Sequence, residues 1–229
     1  MSRCIDCPAS RSGCFNSEVR DGASNCRFVK ATIAARAPLP AEWSQEHAFA
    51  LVRRGVVVRT RAELDGVSIA IDCVGPRSLV PLHAHGTEVG YAASDTLVCL
   101  YPRHLLRQAV SEDAALGLEV VEGLQKALDR VERLAEARGH AMAEQRIARV
   151  LAVLSEHQDH LHGGIQQRDL ARLAGVRHES VCRFLAKLTR DGTIHRDDGL
   201  LFIDHPGNLS SERFAHPRAA SPQFESSET

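Results

Sequence analysis

The chain has 229 residues, 44 % of them hydrophobic and 25 % charged, with 28 Lys and Arg set against 29 Asp and Glu. That length suits one large domain or two smaller ones, each able to bury a core of its own, and two is the expectation. A net charge of -1 excludes a global electrostatic pull toward nucleic acid or membrane, so any such binding has to come from a local patch, and no apolar run is long enough to cross a bilayer.

The first residues, MSRCIDCPASRSGC, lack the basic segment and apolar core of a secretory signal, which predicts a cytoplasmic protein with reduced thiols and no membrane partner. Seven cysteines cannot all pair within one chain, so metal binding or thiol chemistry is expected rather than a disulfide framework. Cys4, Cys7, Cys14 and Cys26 fall inside a segment, residues 1–27, too poor in periodic hydrophobicity to pack alone. A metal would order it.

From 28 to about 104 the sequence breaks into short apolar runs, FALV, GVVVRT, VSIAID and DTLVCLY, separated by turn signals at PLP, RRG, LDG, GPR and AHG. Six to eight short strands forming a β-sandwich or roll are predicted. Cys73 reads as a buried strand residue, because a free thiol packs as a small hydrophobe. His83 and His85, with Glu88 after them, have the look of the metal ligands of cupin-type enzymes, but the spacing to Glu88 is short and no later histidine completes a set.

Beyond Pro102 a proline-free run carries Gly117, Val121, Leu124, Leu128, Val131 and Ala135 at alternating spacings of four and three. This is a coiled-coil seam, so residues 105–139 are predicted to form a long helix that pairs with a second copy through Val121, Leu124, Leu128, Val131 and Ala135. A second amphipathic helix is expected over 140–154, with Ile147, Val150, Leu151 and Leu154 on its apolar face.

Residues 164–204 read as a helix over 167–174, a glycine turn at Gly175, and a helix over 177–190 whose Val181, Phe184, Leu185 and Leu188 form a buried stripe. Asp197, Asp198 and Gly199 then turn a two-stranded hairpin. The pattern predicts a winged helix-turn-helix, closing a DNA-binding domain over 140–209 before a polar tail, 210–229. Glu179 and Arg183, four residues apart on one face near the start of the second helix, can meet a cytosine N4 and a guanine O6/N7 in the major groove. Arg177, His178, Ser180 and Cys182 lie close enough to join them, and Arg168, Lys187 and Arg190 can add phosphate contacts.

RDLARLAGVRHESVCRFLAKLTRDGTI, together with AEQRIARVLAVL before it, resembles the Crp/Fnr family of bacterial transcription regulators, and the order of parts extends the likeness over nearly the whole chain. The resemblance implies an α+β fold: an N-terminal β-roll (a double-stranded β-helix like that of cyclic-nucleotide-binding domains), a dimerisation helix and a C-terminal winged helix-turn-helix. It implies a homodimer on palindromic DNA with TGA-like half-sites, RNA polymerase as a partner, and no catalytic residues. GPRSLVPLHAHGTEVGYAASDTLVC has Arg77-Ser78 but neither the Gly-Glu pair nor the further arginine of the cyclic-nucleotide members, so cyclic AMP is not expected. The spacing of Cys4, Cys7 and Cys14 is similar to that of the Fnr branch, which implies a 4Fe-4S cluster with Cys99 as fourth ligand and a response to oxygen or nitric oxide; Cys26 is the alternative fourth ligand, and zinc the alternative metal. Where that branch has serine before the arginine, this chain has Cys182, a thiol whose oxidation would add bulk and charge at the DNA surface. The rival expectations are a regulator of the same type answering to a small molecule or to thiol oxidation without a cluster, and a metal-dependent cupin-like enzyme.

Overall fold

Residues 29–62, 68–82, 88–112, 114–157, 165–197 and 200–209 are described by the structure, a computed structural model. Seven strands lie before residue 103: β1 (Val29–Ile33), β2 (His47–Arg54), β3 (Val57–Ala62), β4 (Ser68–Val74), β5 (Leu79–Pro81), β6 (Glu88–Ala92) and β7 (Thr96–Pro102), with a short helix α1 (Trp43–Glu46) before β2. They form two antiparallel sheets, one ordered β1-β7-β2-β5 and the other β4-β3-β6. The tight turn between β2 and β3 requires Gly55, whose φ of +83° is left-handed and whose added Cβ would lie 2.5 Å from the Asp95 carbonyl.

The central strands of the first sheet, β2 and β7, are buried on both faces, which is why FALV and LVCLY read as continuous apolar runs instead of alternating ones. Ala50, Val52, Val98 and Leu100 meet Val57, Val74 and Ala92 of the second sheet. Phe49, Leu51, Cys99 and Tyr101 point the other way and are covered by Leu106 and Val120. These last two belong to α2 (Arg103–Glu112) and α3 (Ala114–Arg138). Within the span expected as one helix over 105–139, the described helices are α2 and α3 on either side of residue 113, and the first begins at Arg103 directly after β7.

α3 runs from the first sheet to the second. Val120 covers the Cys99 cluster, Gly123 passes so close to Leu79 that a Cβ there would sit 2.6 Å from its Cδ1, and Leu134 and Ala137 join Val58, Ala70 and Cys73 on the outer face of the second sheet. α4 (Ala143–His157) follows, and its Ile147, Val150, Leu151 and Leu154 are fully buried at the spacing the sequence predicts. The same cluster continues through Leu170, Leu173, Phe184 and Leu188 of the C-terminal domain. The β-domain has a core of its own between its two sheets, and a second apolar cluster runs from the outer face of its second sheet into the helical domain.

Candidate nucleic-acid interface

The C-terminal domain is built on α4, α5 (Gln167–Ala174), α6 (His178–Arg190) and the hairpin β8 (Ile194–Asp197) and β9 (Leu200–Ile203). α5 starts at a reciprocal cap: the Gln166 side chain accepts from the Asp169 N–H, and Asp169 Oδ2 accepts from the Gln166 N–H at 3.2 Å. It ends at Gly175, whose φ of 61° is the left-handed conformation glycine adopts without penalty. The chain then re-enters a helix two residues later.

On α6 the sequence separates two faces. Val181, Phe184, Leu185 and Leu188 are buried, at spacings of three, one and three, so the remaining positions turn outward. Arg177, His178, Glu179 and Arg183 are exposed, and Ser180 and Cys182 are half-buried at the margin. The structure therefore brings Arg177, His178, Glu179 and Arg183 together on one open surface at the start of the helix. A straight helix of this length fits the major groove, where Arg presents two donors to guanine and Glu an acceptor to cytosine.

The other expected contacts divide. Arg168 is exposed on α5 and Arg190 at the end of α6. Lys187 Nζ lies 3.1 Å from Glu144 Oε2 of α4, so this lysine braces α6 as well as facing solvent. Cys182 points toward α5, with the Gln167 amide 3.1 Å from its sulfur and the His178 ring nitrogens 3.6 and 3.7 Å away. Gln167 turns its carbonyl oxygen to the Arg196 guanidinium of β8, which ties the wing to the helix pair. His195 Nδ1 is 2.8 Å from Asp204 and its ring stacks on Phe202 at 4.8 Å, holding the hairpin flat. A cavity of about 340 Å³ opens between α5, α6 and the hairpin, with Arg168, His178 and Arg196 in its wall. Arg196 is a cation beside the exposed face of α6 that helix periodicity alone does not reveal.

The expected seam is also on the surface. Val121, Leu124 and Leu128 of α3 are 51, 39 and 59 % exposed, Ala135 is exposed and Val131 half-buried. Leu118, 67 % exposed, extends this stripe by one turn. Its opposite side, with Ala127, Arg130, Leu134 and Ala137, is the buried one.

Of the proposed metal ligands, Cys4, Cys7, Cys14 and Cys26 lie outside the described residues. Cys99 sits at the centre of the first sheet, opposite Lys30 of β1 and Leu51 of β2. It is 3 % exposed among Phe49, Leu51 and Tyr101, with Leu106 and Val120 over it. Cys73 is the buried strand residue the sequence predicts: it lies fully buried against the second sheet's outer face, and burial, then the Asp72 carboxylate, push its thiol well above the usual range. His83 and His85 lie outside the described residues, and among those described no three His, Cys, Asp or Glu side chains gather as a metal site. Nor is any described helix long and apolar enough to cross a membrane.

Residues 145–211 match the Crp-like helix-turn-helix domain family. A protein described as a probable transcriptional activator from Rhizobium leguminosarum bv. viciae is 24 % identical over 183 residues, covering 74 % of this chain and 75 % of its own length. Among solved structures, FixK2 from Bradyrhizobium japonicum matches with a TM-score of 0.64 at 19 % identity, over 80 % of this chain and 95 % of that one. A CooA variant from Carboxydothermus hydrogenoformans matches at 0.61 and 17 % identity, over 82 % and 87 %. A CRP-family transcriptional regulator from Thermus thermophilus matches at 0.58 and 20 % identity, over 81 % and 97 %. With its β-domain, its long helix and its helix-turn-helix, the chain shares the fold of these solved structures, and its residues 145–211 are similar to the Crp-like helix-turn-helix domain family.

Proposed function

We propose that the chain works as a homodimer that reads palindromic DNA and adjusts its affinity to oxygen, nitric oxide or redox state. The observation that carries the DNA part is the open surface of α6, where Glu179 and Arg183 stand exposed beside a fully buried stripe. Two such helices in a dimer would enter successive major grooves on half-sites about one helical turn apart. Arg183 and Glu179 suit a G·C-containing step within a TGA-like half-site. Pairing through Leu118, Val121, Leu124 and Leu128 would bury the exposed apolar stripe of α3. RNA polymerase is the natural partner for such a dimer at a promoter.

For the sensor we propose Cys4, Cys7, Cys14 and Cys99 as holders of a 4Fe-4S cluster, with Cys26 as the alternative to Cys99 and zinc as the alternative metal. A bound cluster supplies one-electron chemistry and sensitivity to oxygen and nitric oxide. Cys99 would transmit the state of the site through packing. Val120 lies over its cluster of side chains, and Val121, the next residue, is on the exposed seam. The Phe49 and Tyr101 rings, 4.4 Å apart, shield the thiol from water.

Anaerobically purified protein, followed by absorption through air exposure and assayed for DNA binding at each stage, tests the sensor. A brown protein that loses its visible band and its DNA affinity together is expected. Protein that contains zinc or no metal and binds its site equally well in air overturns the cluster.

A further inference from the structure

Asp169 is completely buried, and its carboxylate belongs to two structures at once. Within the DNA-binding domain it caps α5 through the Gln166 N–H. Across the boundary it accepts from Arg36 Nη1 at 2.8 Å and Nη2 at 3.1 Å, and from the Tyr91 hydroxyl at 2.7 Å. Both donors belong to the β-domain, in the turn after β1 and in β6. Arg172, one turn further along α5, donates to the Tyr91 oxygen at 3.3 Å, and the Arg36 and Arg172 guanidinium carbons lie 5.9 and 5.8 Å from the centre of the Tyr91 ring.

The β-domain side is built to hold this geometry. Arg36 has a left-handed φ of 71°, unusual for a non-glycine residue, and its N–H donates to the Ala92 carbonyl at 2.7 Å while Ala35 N donates to Asp95 Oδ1 at 2.8 Å. Burial, and then the Asp169 carboxylate, push the Tyr91 phenol up to about 12, so it stays a donor at neutral pH. The Asp169 carboxylate raises Arg36 further above its already high value.

We infer that Arg36 and Tyr91 are positioning residues for DNA binding, which through Asp169 fix α5, and α6 packed on it, at one place on the β-domain. In a dimer this would set the separation of the two reading faces, so the inference rests on the paired half-site reading above. The asymmetry of the pair says what its loss does. The Arg36 side chain is 33 % exposed and can turn to water, whereas Asp169 is 0 % exposed. A buried carboxylate without its cation is costly, and lifting α5 off the β-domain hydrates it without disturbing the α5 cap. The apolar cluster shared by the two domains opposes separation, so a loosened placement is expected rather than detachment.

The test uses the full chain as wild type, Arg36→Met, Tyr91→Phe and the double variant Arg36→Met/Asp169→Asn. The probe is a duplex selected from a random-sequence pool by the wild type, then rebuilt with its halves moved closer or apart in single base-pair steps. Wild type should discriminate sharply among spacings. Arg36→Met should bind the selected spacing roughly tenfold more weakly, in the usual range for coupling between sites, and discriminate less, with a smaller effect in the same direction for Tyr91→Phe. The double variant should recover much of both properties, because a neutral amide removes the buried charge left without its cation, while its one oxygen can still accept from either the Gln166 N–H or the Tyr91 hydroxyl. If wild type shows a steep spacing profile and Arg36→Met keeps it, or loses affinity equally at every spacing with no recovery in the double variant, the positioning role is overturned. A flat wild-type profile overturns the paired half-site reading instead, and the inference with it.

Discussion

The Arg130 guanidinium closes on the Asp72 carboxylate with both groups out of water: Nε to Oδ1 is 2.6 Å, Nη2 to Oδ2 is 3.0 Å, and the side chains are 2 and 0 % exposed. A second guanidinium, Arg59 of β3, reaches the same carboxylate at 3.4 Å, and Cys73 N donates to it at 2.8 Å. Burial pulls the Arg130 pKa down, but its bonds to Asp72 outweigh this and hold it above the ordinary value. The bond ties the middle of α3 to β4, just beyond the exposed seam. Because breaking a buried pair from one side leaves an uncompensated charge, Arg130→Ala should destabilise the protein by about 3–5 kcal/mol. Asp72→Asn, which strips the carboxylate from between two guanidinium groups, should cost at least as much. Denaturant titration of the two variants against wild type checks both.

The thiols should separate by environment. Cys73 is fully buried and its pKa is raised by burial and by Asp72, so at neutral pH the reactive thiolate is suppressed, and it stays suppressed until pH approaches the raised value or the domain unfolds. Cys182 is half-buried at the edge of the reading face, against Gln167 and His178. Mass spectrometry after brief alkylation of native protein should find Cys182 modified and Cys73 untouched. An oxygen added to the Cys182 sulfur would enter the contact between α5 and α6, so peroxide should weaken DNA binding of wild type while Cys182→Ser resists. Equal peroxide sensitivity in the two proteins would remove Cys182 from the account.

Periodicity makes the helical half legible. The buried stripes of α4 and α6, the Gly175 turn and the pairing of β8 with β9 all follow from local spacing, and local spacing is what helix and turn physics obeys. The first sheet is legible as strands but not as a two-faced layer: FALV and LVCLY show burial on both sides, yet nothing in them says that α2 and α3 supply the second cover. The Asp169 latch is half visible, since Q-x-x-D before an apolar run marks a cap, but its partners stand 133 and 78 residues earlier in the chain. Long-range polar contacts of that kind leave no periodic trace. Arg130 is the clearest case of a burial that pattern does not show, because nothing in its position along α3 announces the Asp72 carboxylate that receives it.

The α3 stripe gives a test of assembly. Leu118, Val121, Leu124 and Leu128 are exposed along successive turns, whereas Ala127 and Leu134 are buried against the β-domain. Replacing Leu128 by Glu therefore leaves the fold in place and puts a charge into any paired seam. Each apolar side chain buried across such a seam is worth about 1.5–3 kcal/mol, so Leu128→Glu in both copies should shift the association equilibrium strongly toward monomer. Sedimentation velocity with the wild type as dimer and the variant as monomer, at matching thermal stability, is the expected result. A variant that remains dimeric would move the interface off this face.

Glu179 and Arg183 carry the last prediction. Both are exposed on the first turns of α6, neither takes part in the buried stripe, and the helix is braced elsewhere by Lys187 to Glu144. Replacing either by Ala should therefore leave stability within about 0.5 kcal/mol of wild type, as for surface positions in general. A bidentate Arg–guanine contact is worth about 1–3 kcal/mol of discrimination. Arg183→Ala should accordingly bind a selected site roughly 5- to 150-fold more weakly at fixed salt, with non-specific binding much less affected. Arg196→Ala should behave differently. If that cation meets phosphate, its loss weakens specific and non-specific DNA alike and lowers the salt dependence of binding by about one phosphate contact. Binding isotherms on selected and scrambled duplexes across a salt series separate the two outcomes. Equal losses on both DNAs for Arg183→Ala would show that α6 grips the backbone without reading bases.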